Sequence, residues 1–222
     1  GESYTYLYGF GLADPTLARD RRRAIRFADM YTGADPEADN WDAEHRRIKS
    51  PITGSRGPRY VNTAEDWCTH RAILDDYLPP YEDIPGAPGP KCQWTDDAIF
   101  AEVLSRLNAR MMRADVPLNL TSTSLVTHAY MLSGDERYRQ WVLDYTGAWM
   151  ERAQANGGLL PDNVGPNGII GETMDGKWWG GYYGWRWPHS MMTIIEPALI
   201  AAANCLQLTG DDAWLDLPRT QL

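Results

Sequence analysis

The chain of 222 residues is long enough for one large domain, and its 21 Lys and Arg against 30 Asp and Glu give a net charge of −9. An acidic chain lacks the basic surface that nucleic-acid binding requires, and no run of about 18 consecutive apolar residues is present to span a bilayer. We therefore expect a globular domain that binds neither nucleic acid nor a membrane. The oligomeric state is left open.

The aromatic composition is unusual, with 10 Trp and 12 Tyr against 3 Phe. Trp and Tyr combine a flat apolar face with a polar group, so this excess suggests ligand-stacking surfaces as well as core. Cys68, Cys92 and Cys205 show no CxxC spacing, and no complete glycine-rich nucleotide fingerprint is present. The sequence indicates neither a metal nor a cofactor.

Hydrophobic periodicity predicts a mainly helical chain. The long stretches between the helices are rich in Pro and Gly, and loops of that length are usually functional or disordered. Only the alternation of Tyr4, Tyr6 and Tyr8 resembles a strand, so we expect little sheet. The predicted helices are 16–31, 63–77, 95–113, 118–132, 136–155 and one beginning at Pro188, and the long loops are 33–62, 79–94 and 157–189.

An internal repeat joins pairs of these helices. Residues 129–138 align with 205–214 at an offset of 76, and each copy holds a Ser/Thr-Gly-Asp turn. A glycine that ends one helix and an aspartate that caps the next form a helical hairpin. With a weaker copy at 31–35, the repeat predicts an array of stacked hairpins, which we expect to be part of a longer polypeptide.

The turns Ser133-Gly134-Asp135 and Thr209-Gly210-Asp211, each followed by an aromatic residue, and the loop from Gly157 to Trp187 resemble the α/α-toroid carbohydrate-active enzymes. These include the unsaturated glucuronyl hydrolases and the toroid domains of heparinase-like and alginate-type polysaccharide lyases. The resemblance implies an all-α toroid over residues 1–222, secreted or periplasmic. It also implies cleavage of a uronic-acid-containing poly- or oligosaccharide, by hydrolysis or β-elimination.

The segment 172–189 is the densest in aromatic, glycine and charged residues. Sugar rings pack their C–H faces on flat aromatics, and glycines let the backbone approach a ligand closely. The alternative is an aromatic plug that closes one end of the array. The substrate-binding candidates here are Trp178, Trp179, Tyr182, Trp185, Arg186 and Trp187, with Asn163 on the same long loop.

His189, Thr193 and Glu196 follow at i, i+4 and i+7, which would place them on one helix face in an apolar stretch. Burial would raise the pKa of Glu196 and suit it to general acid catalysis. Hydrolysis would use a pair of carboxylates, and β-elimination a tyrosine with His189 and a cation. The candidates are Glu172, Asp175, Glu196 and Asp66 for hydrolysis, and Tyr182 or Tyr183 with Arg186 or Arg71 for elimination.

Asp66 and His70 lie four residues apart on the helix predicted from Thr63, with Arg71 beside them. This spacing would present an acid, an imidazole and a guanidinium together, so His70 and Arg71 are further substrate-binding candidates. Asp66 could instead cap the helix.

Two other functional classes fit the same sequence. One is an α/α-barrel enzyme similar to linalool dehydratase-isomerase, in which aromatics enclose a terpenoid and Asp, His and Cys side chains move protons. The other is a noncatalytic glycan-binding module. The first predicts a closed apolar cavity and active cysteines, whereas the second predicts binding without turnover.

Overall fold

The computed structural model describes residues 4–14, 16, 18–84 and 91–222. Helix accounts for 52% of the structure and strand for 3%, which confirms the all-α prediction. The short antiparallel strands β1 (Trp41–Asp42) and β2 (Arg47–Ile48) form the sheet. The helices are α1 (Tyr4–Ala13), α2 (Ala18–Thr32), α3 (Ala64–Trp67), α4 (Arg71–Leu74), α5 (Asp97–Arg110), α6 (Ser122–Ser133), α7 (Glu136–Ala155), α8 (Glu196–Thr209) and α9 (Asp216–Arg219).

Helix α6 lies at the centre of the hairpin array. It contacts α1, α2, α7 and α8, and its residues 122–129 are all buried. Helix α7 packs a ridge of Trp141, Tyr145 and Trp149 into the same core. The spacing of four residues places these three rings on one face, as amphipathic periodicity requires.

The two hairpin turns have the same geometry, as the repeat predicts. Gly134 and Gly210 adopt left-handed backbone conformations with φ of 68° and 73°. Each donates its N–H to a carbonyl four residues earlier at 2.7 Å. Asp135 and Asp211 then accept the amide of the residue two positions on, which caps the next segment. The weaker copy of the repeat, at residues 31–35, ends α2 at Gly33, but it is followed by a turn and not by a second helix.

Three sequence predictions need correction. The helix predicted over 63–77 is broken into α3 and α4. The strand-like alternation at Tyr4 to Tyr8 belongs to α1. The segment after Pro188 begins with a π-helical turn, Met191–Ile195, before α8 starts at Glu196. Because a π turn changes the helical phase, His189, Thr193 and Glu196 do not share the expected face.

A second buried cluster lies beside the helical array. It is built from α5 and from segments 67–84, 92–94 and 174–187. The predicted loop 79–94 contributes here, although residues 85–90 lie outside the described part. This second cluster contains two of the aromatic residues that the sequence placed in the binding cleft, Tyr182 and Trp187.

The segment Met191–Thr209 is long and apolar enough to span a membrane by length and composition alone, with 44% of its window buried in the protein. Core helices of globular proteins meet the same criterion. Ala198, Ala201 and Cys205 of this segment are fully buried in the hairpin core. The packing of α8 is that of a core helix.

Candidate functional site

Asp162 organises the aromatic loop. Its Oδ2 accepts the backbone N–H groups of Gly180 and Gly181 at 2.6 and 2.9 Å, and its Oδ1 accepts that of Trp185 at 2.9 Å. The side chain is fully buried. Burial raises the pKa of Asp162 to about 6, against the opposing effect of the three amides. One carboxylate therefore fixes the path of the chain from 180 to 185.

Two aromatic side chains of this loop are core residues. Tyr182 and Trp187 are 3% and 6% exposed, with ring centroids 4.4 Å apart. Tyr182 also contacts the rings of Trp67 and Trp94. For these two residues the plug interpretation describes the structure better than direct sugar stacking does. Burial also raises the pKa of the Tyr182 hydroxyl far above its ordinary value, so Tyr182 keeps its proton at neutral pH and is a poor candidate for the catalytic base.

The other tryptophans of the loop are more accessible. Trp179 is 37% exposed. Trp178 and Trp185 are half-buried, and Trp185 donates its indole N–H to the carbonyl of Leu160 at 2.8 Å. Trp179 is thus the most open aromatic platform of the segment.

His189 pairs with a tyrosine that the sequence did not suggest. Its Nε2 lies 2.9 Å from the hydroxyl of Tyr77, and the two side chains meet at the surface. The Tyr77 ring also packs against Trp187, with centroids 5.5 Å apart. Tyr183, one of the two tyrosines expected to act with His189, instead has its ring 4.2 Å from that of Tyr182 and a φ of 64°. The tyrosine that contacts His189 is therefore Tyr77, and not Tyr182 or Tyr183 as the sequence predicted.

A cavity of about 240 Å³ opens beside the loop. Asp175 and Trp179 line it, together with residues from the 79–84 segment. Asp175 is exposed and has a φ of 56°. The remaining wall residues are Tyr81, Glu82, Asp83, Arg110, Met174, Lys177 and Gly180.

The structure does not desolvate Glu196 as predicted. Glu196 is exposed at the start of α8, because the preceding π turn rotates it away from the core. Glu172 accepts the backbone and side-chain amides of Asn167, at 2.9 and 2.5 Å. That arrangement braces a turn, so Glu172 has a structural role in this loop.

Asp66, His70 and Arg71 are not presented together. Asp66 accepts the N–H of Thr63 at 2.7 Å and pairs with Arg59, so the capping alternative is correct. His70 is an exposed residue at the start of α4. Arg71 turns towards the chain before α5, where it donates to the carbonyls of Trp94 and Thr95 and pairs with Asp97.

Asn163 is 3% exposed, and neither its Oδ1 nor its Nδ2 has a hydrogen-bond partner among the described residues. A buried amide in this state needs a water or a ligand group to satisfy it. Within the described residues, no group of three or more His, Cys, Asp or Glu side chains could hold a metal ion.

A groove beside the 33–62 loop was also not predicted from the sequence. His45 Nδ1 lies 3.0 Å from Asp42 Oδ2, and His45 lines a groove of about 490 Å³ with Arg46 and Arg152. The missed residues Tyr77, Glu82 and His45 carry no local motif. His45 and Glu82 lie in the Pro- and Gly-rich loops predicted over 33–62 and 79–94, which was the one available signal, whereas Tyr77 lies at the end of the helix predicted over 63–77.

The comparisons with known proteins identify a family but indicate no function. No curated protein and no solved structure is detectably similar to this chain. A family model described as a domain of unknown function, DUF8034, matches residues 1–222. The chain therefore belongs to the DUF8034 family.

Proposed function

We propose that this protein is a carbohydrate-active enzyme of α/α-toroid type that cleaves a uronic-acid-containing saccharide by β-elimination. The observation that carries the proposal is the 2.9 Å contact between the Tyr77 hydroxyl and His189 Nε2, at the surface and beside Trp187. The toroid arrangement rests on the repeated hairpin turns at Gly134 and Gly210.

This pair suits the proton transfers of β-elimination. Tyr77 Oη takes the proton from C5 of the uronate while its own proton passes to His189 Nε2. The electrons of the C5–H bond form the C4–C5 double bond, and the bond from C4 to the bridging oxygen breaks. The leaving oxygen then receives the proton from His189. A positioned acid–base pair of this kind contributes about 10²–10⁴ in rate.

The placement of the carboxylates favours elimination over hydrolysis. Hydrolysis needs two carboxyl groups that flank the bond, with one of them protonated. Glu172 and Asp66 are held in structural hydrogen bonds, and Glu196 stands exposed on α8. Asp162 has a raised pKa, but the amides of the loop surround its carboxylate. These four carboxylates are therefore poor candidates for the pair.

Hydrolysis remains the second candidate because Asp175 and Glu82 line the same cavity. The terpenoid alternative receives less support. The cavity of about 240 Å³ is lined by charged side chains, whereas a terpenoid needs an apolar cavity. Burial raises the pKa of Cys92 to about 11 and that of Cys205 to about 12. Such thiols are protonated and unreactive at neutral pH.

The test is incubation of the protein with a panel of uronic-acid polysaccharides, with two readings taken in parallel. New reducing ends together with the ultraviolet absorbance of an unsaturated uronate would support elimination. Reducing ends without that absorbance would contradict elimination and support hydrolysis by Asp175 and Glu82. Binding without either signal would contradict both and favour a glycan-binding module.

A further inference from the structure

The charges around the 240 Å³ cavity are not evenly paired. Asp83 and Arg110 form a closed, two-pronged pair, with N–O distances of 2.7 and 2.6 Å. Arg106 adds a further contact to Asp83 at 3.4 Å. Asp83 and Arg110 thus satisfy each other and offer little to a ligand.

Glu82 differs from Asp83, because each of its two carboxylate oxygens lies near a different cation. Its Oε1 lies 2.9 Å from Arg186 Nη1, and its Oε2 lies 3.6 Å from Lys177 Nζ. The Nε of Arg186 is buried and has no hydrogen-bond partner among the described residues. The side chain of Lys177 is 57% exposed. Glu82, Arg186 and Lys177 together carry one net positive charge at this edge of the cavity, and the exposed Asp175 adds a carboxylate to its lining.

An aromatic platform adjoins Lys177. The Lys177 Nζ lies 5.6 Å from the centre of the Trp179 ring, which is partly open to solvent. A flat ring beside a lysine suits a sugar that carries a negative group better than it suits a neutral sugar. The cavity volume is below the range of about 300–1,000 Å³ typical of whole-ligand pockets. It fits one sugar unit of a longer chain.

We infer that this cavity is a subsite for the carboxylate of a uronate, and that Glu82 occupies the position which the substrate's carboxylate takes between Lys177 and Arg186. Glu82 thereby acts as a resident competitor that lowers the affinity for acidic sugars. The inference rests on the proposed function, since it assigns a uronate-binding subsite to the enzyme proposed above.

The experiment measures binding of a glucuronate trisaccharide and of neutral cellotriose by calorimetry and tryptophan fluorescence, with no turnover required. Glu82→Gln removes the competing charge, so we expect the Kd for the glucuronate trisaccharide to fall about three- to fivefold. Lys177→Gln removes a cation, so we expect that Kd to rise by a similar factor. The Kd for cellotriose should change little in either variant. Glu136→Gln, a surface glutamate of α7 that pairs with Arg139, is the matched control.

Weaker or unchanged glucuronate binding in folded Glu82→Gln would overturn the inference, and so would an equal change for both sugars. Failure of the wild-type protein to bind the acidic trisaccharide would also overturn it. A Lys177→Gln variant that binds the acidic sugar as well as wild type does would do the same. Binding that follows these expectations without any cleavage would support the subsite and contradict the proposed function, so the two can fail separately.

Discussion

The carboxylate of Asp162 occupies the space that a side chain at Gly184 would need. A Cβ placed on Gly184 would lie 2.0 Å from Asp162 Oδ2 and 2.1 Å from its Cγ. Neither atom has room to move, because that carboxylate holds the amides of Gly180, Gly181 and Trp185. The shape of the aromatic loop thus depends on glycine at one position and aspartate at another.

Gly184→Ala should destabilise the protein by about 1–3 kcal/mol, the usual cost of overpacking a filled site. The loss should show as a lower midpoint of urea unfolding. Gly147→Ala is the matched control, since a Cβ there would come no closer than 3.9 Å to Trp214. Alanine inside α7 should be neutral or stabilise by up to about 1 kcal/mol. Equal unfolding midpoints for the two variants would contradict this description of the loop.

The buried Asp162 should also make stability depend on pH. Its pKa in the folded state is about 6, above the ordinary 3.8. Between pH 3.8 and about 6, Asp162 is therefore protonated in the folded state and ionised in the unfolded state. The protonated Asp162 makes its full contribution to the free energy of unfolding below pH 3.8. This contribution, up to about 3 kcal/mol, is lost as the pH rises to about 6. Asp162→Asn cannot titrate. The difference in unfolding free energy between wild type and variant should therefore shift in this window, and a constant difference would contradict the assignment.

Much of the helical framework was predictable because its signals are local. The caps Asp96 and Asp135 mark the starts of α5 and α7, and periodicity marks their lengths. The site depends on contacts between residues far apart in sequence. Tyr77 meets His189 across 112 residues of chain, and no pattern around Tyr77 indicates this partner. Arg71 donates to carbonyls more than 20 residues away, and the helix predicted over 63–77 is broken just before it into α3 and α4.

The two hairpin turns should respond equally to the same change. Gly134→Ala and Gly210→Ala each place a side chain in a left-handed conformation, and we expect each to cost about 1–2 kcal/mol. Thermal unfolding of the two variants measures this directly. A cost at one turn and none at the other would show that the sequence repeat is not a structural one.

Asp115 is buried and takes hydrogen bonds from three groups, including the Tyr145 hydroxyl at 3.0 Å. Tyr145→Phe removes one donor from a fully buried carboxylate, so we expect a loss of about 1–3 kcal/mol in urea unfolding. Tyr130→Phe removes an exposed hydroxyl that bonds Glu136 and should cost less than about 0.5 kcal/mol. Similar losses in the two variants would refute a special role for the Asp115 network.

In the proposed reaction Tyr77 and His189 act as one proton-transfer unit, and a double-mutant cycle measures whether they do so. The measurement is the rate of unsaturated uronate formation by wild type, Tyr77→Phe, His189→Ala and the double variant, with Tyr130→Phe as the matched control. We expect each single change to lower kcat/KM at least about tenfold and the double change to cost no more than the larger single effect. Folded single variants that form the unsaturated product at the wild-type rate would contradict the account.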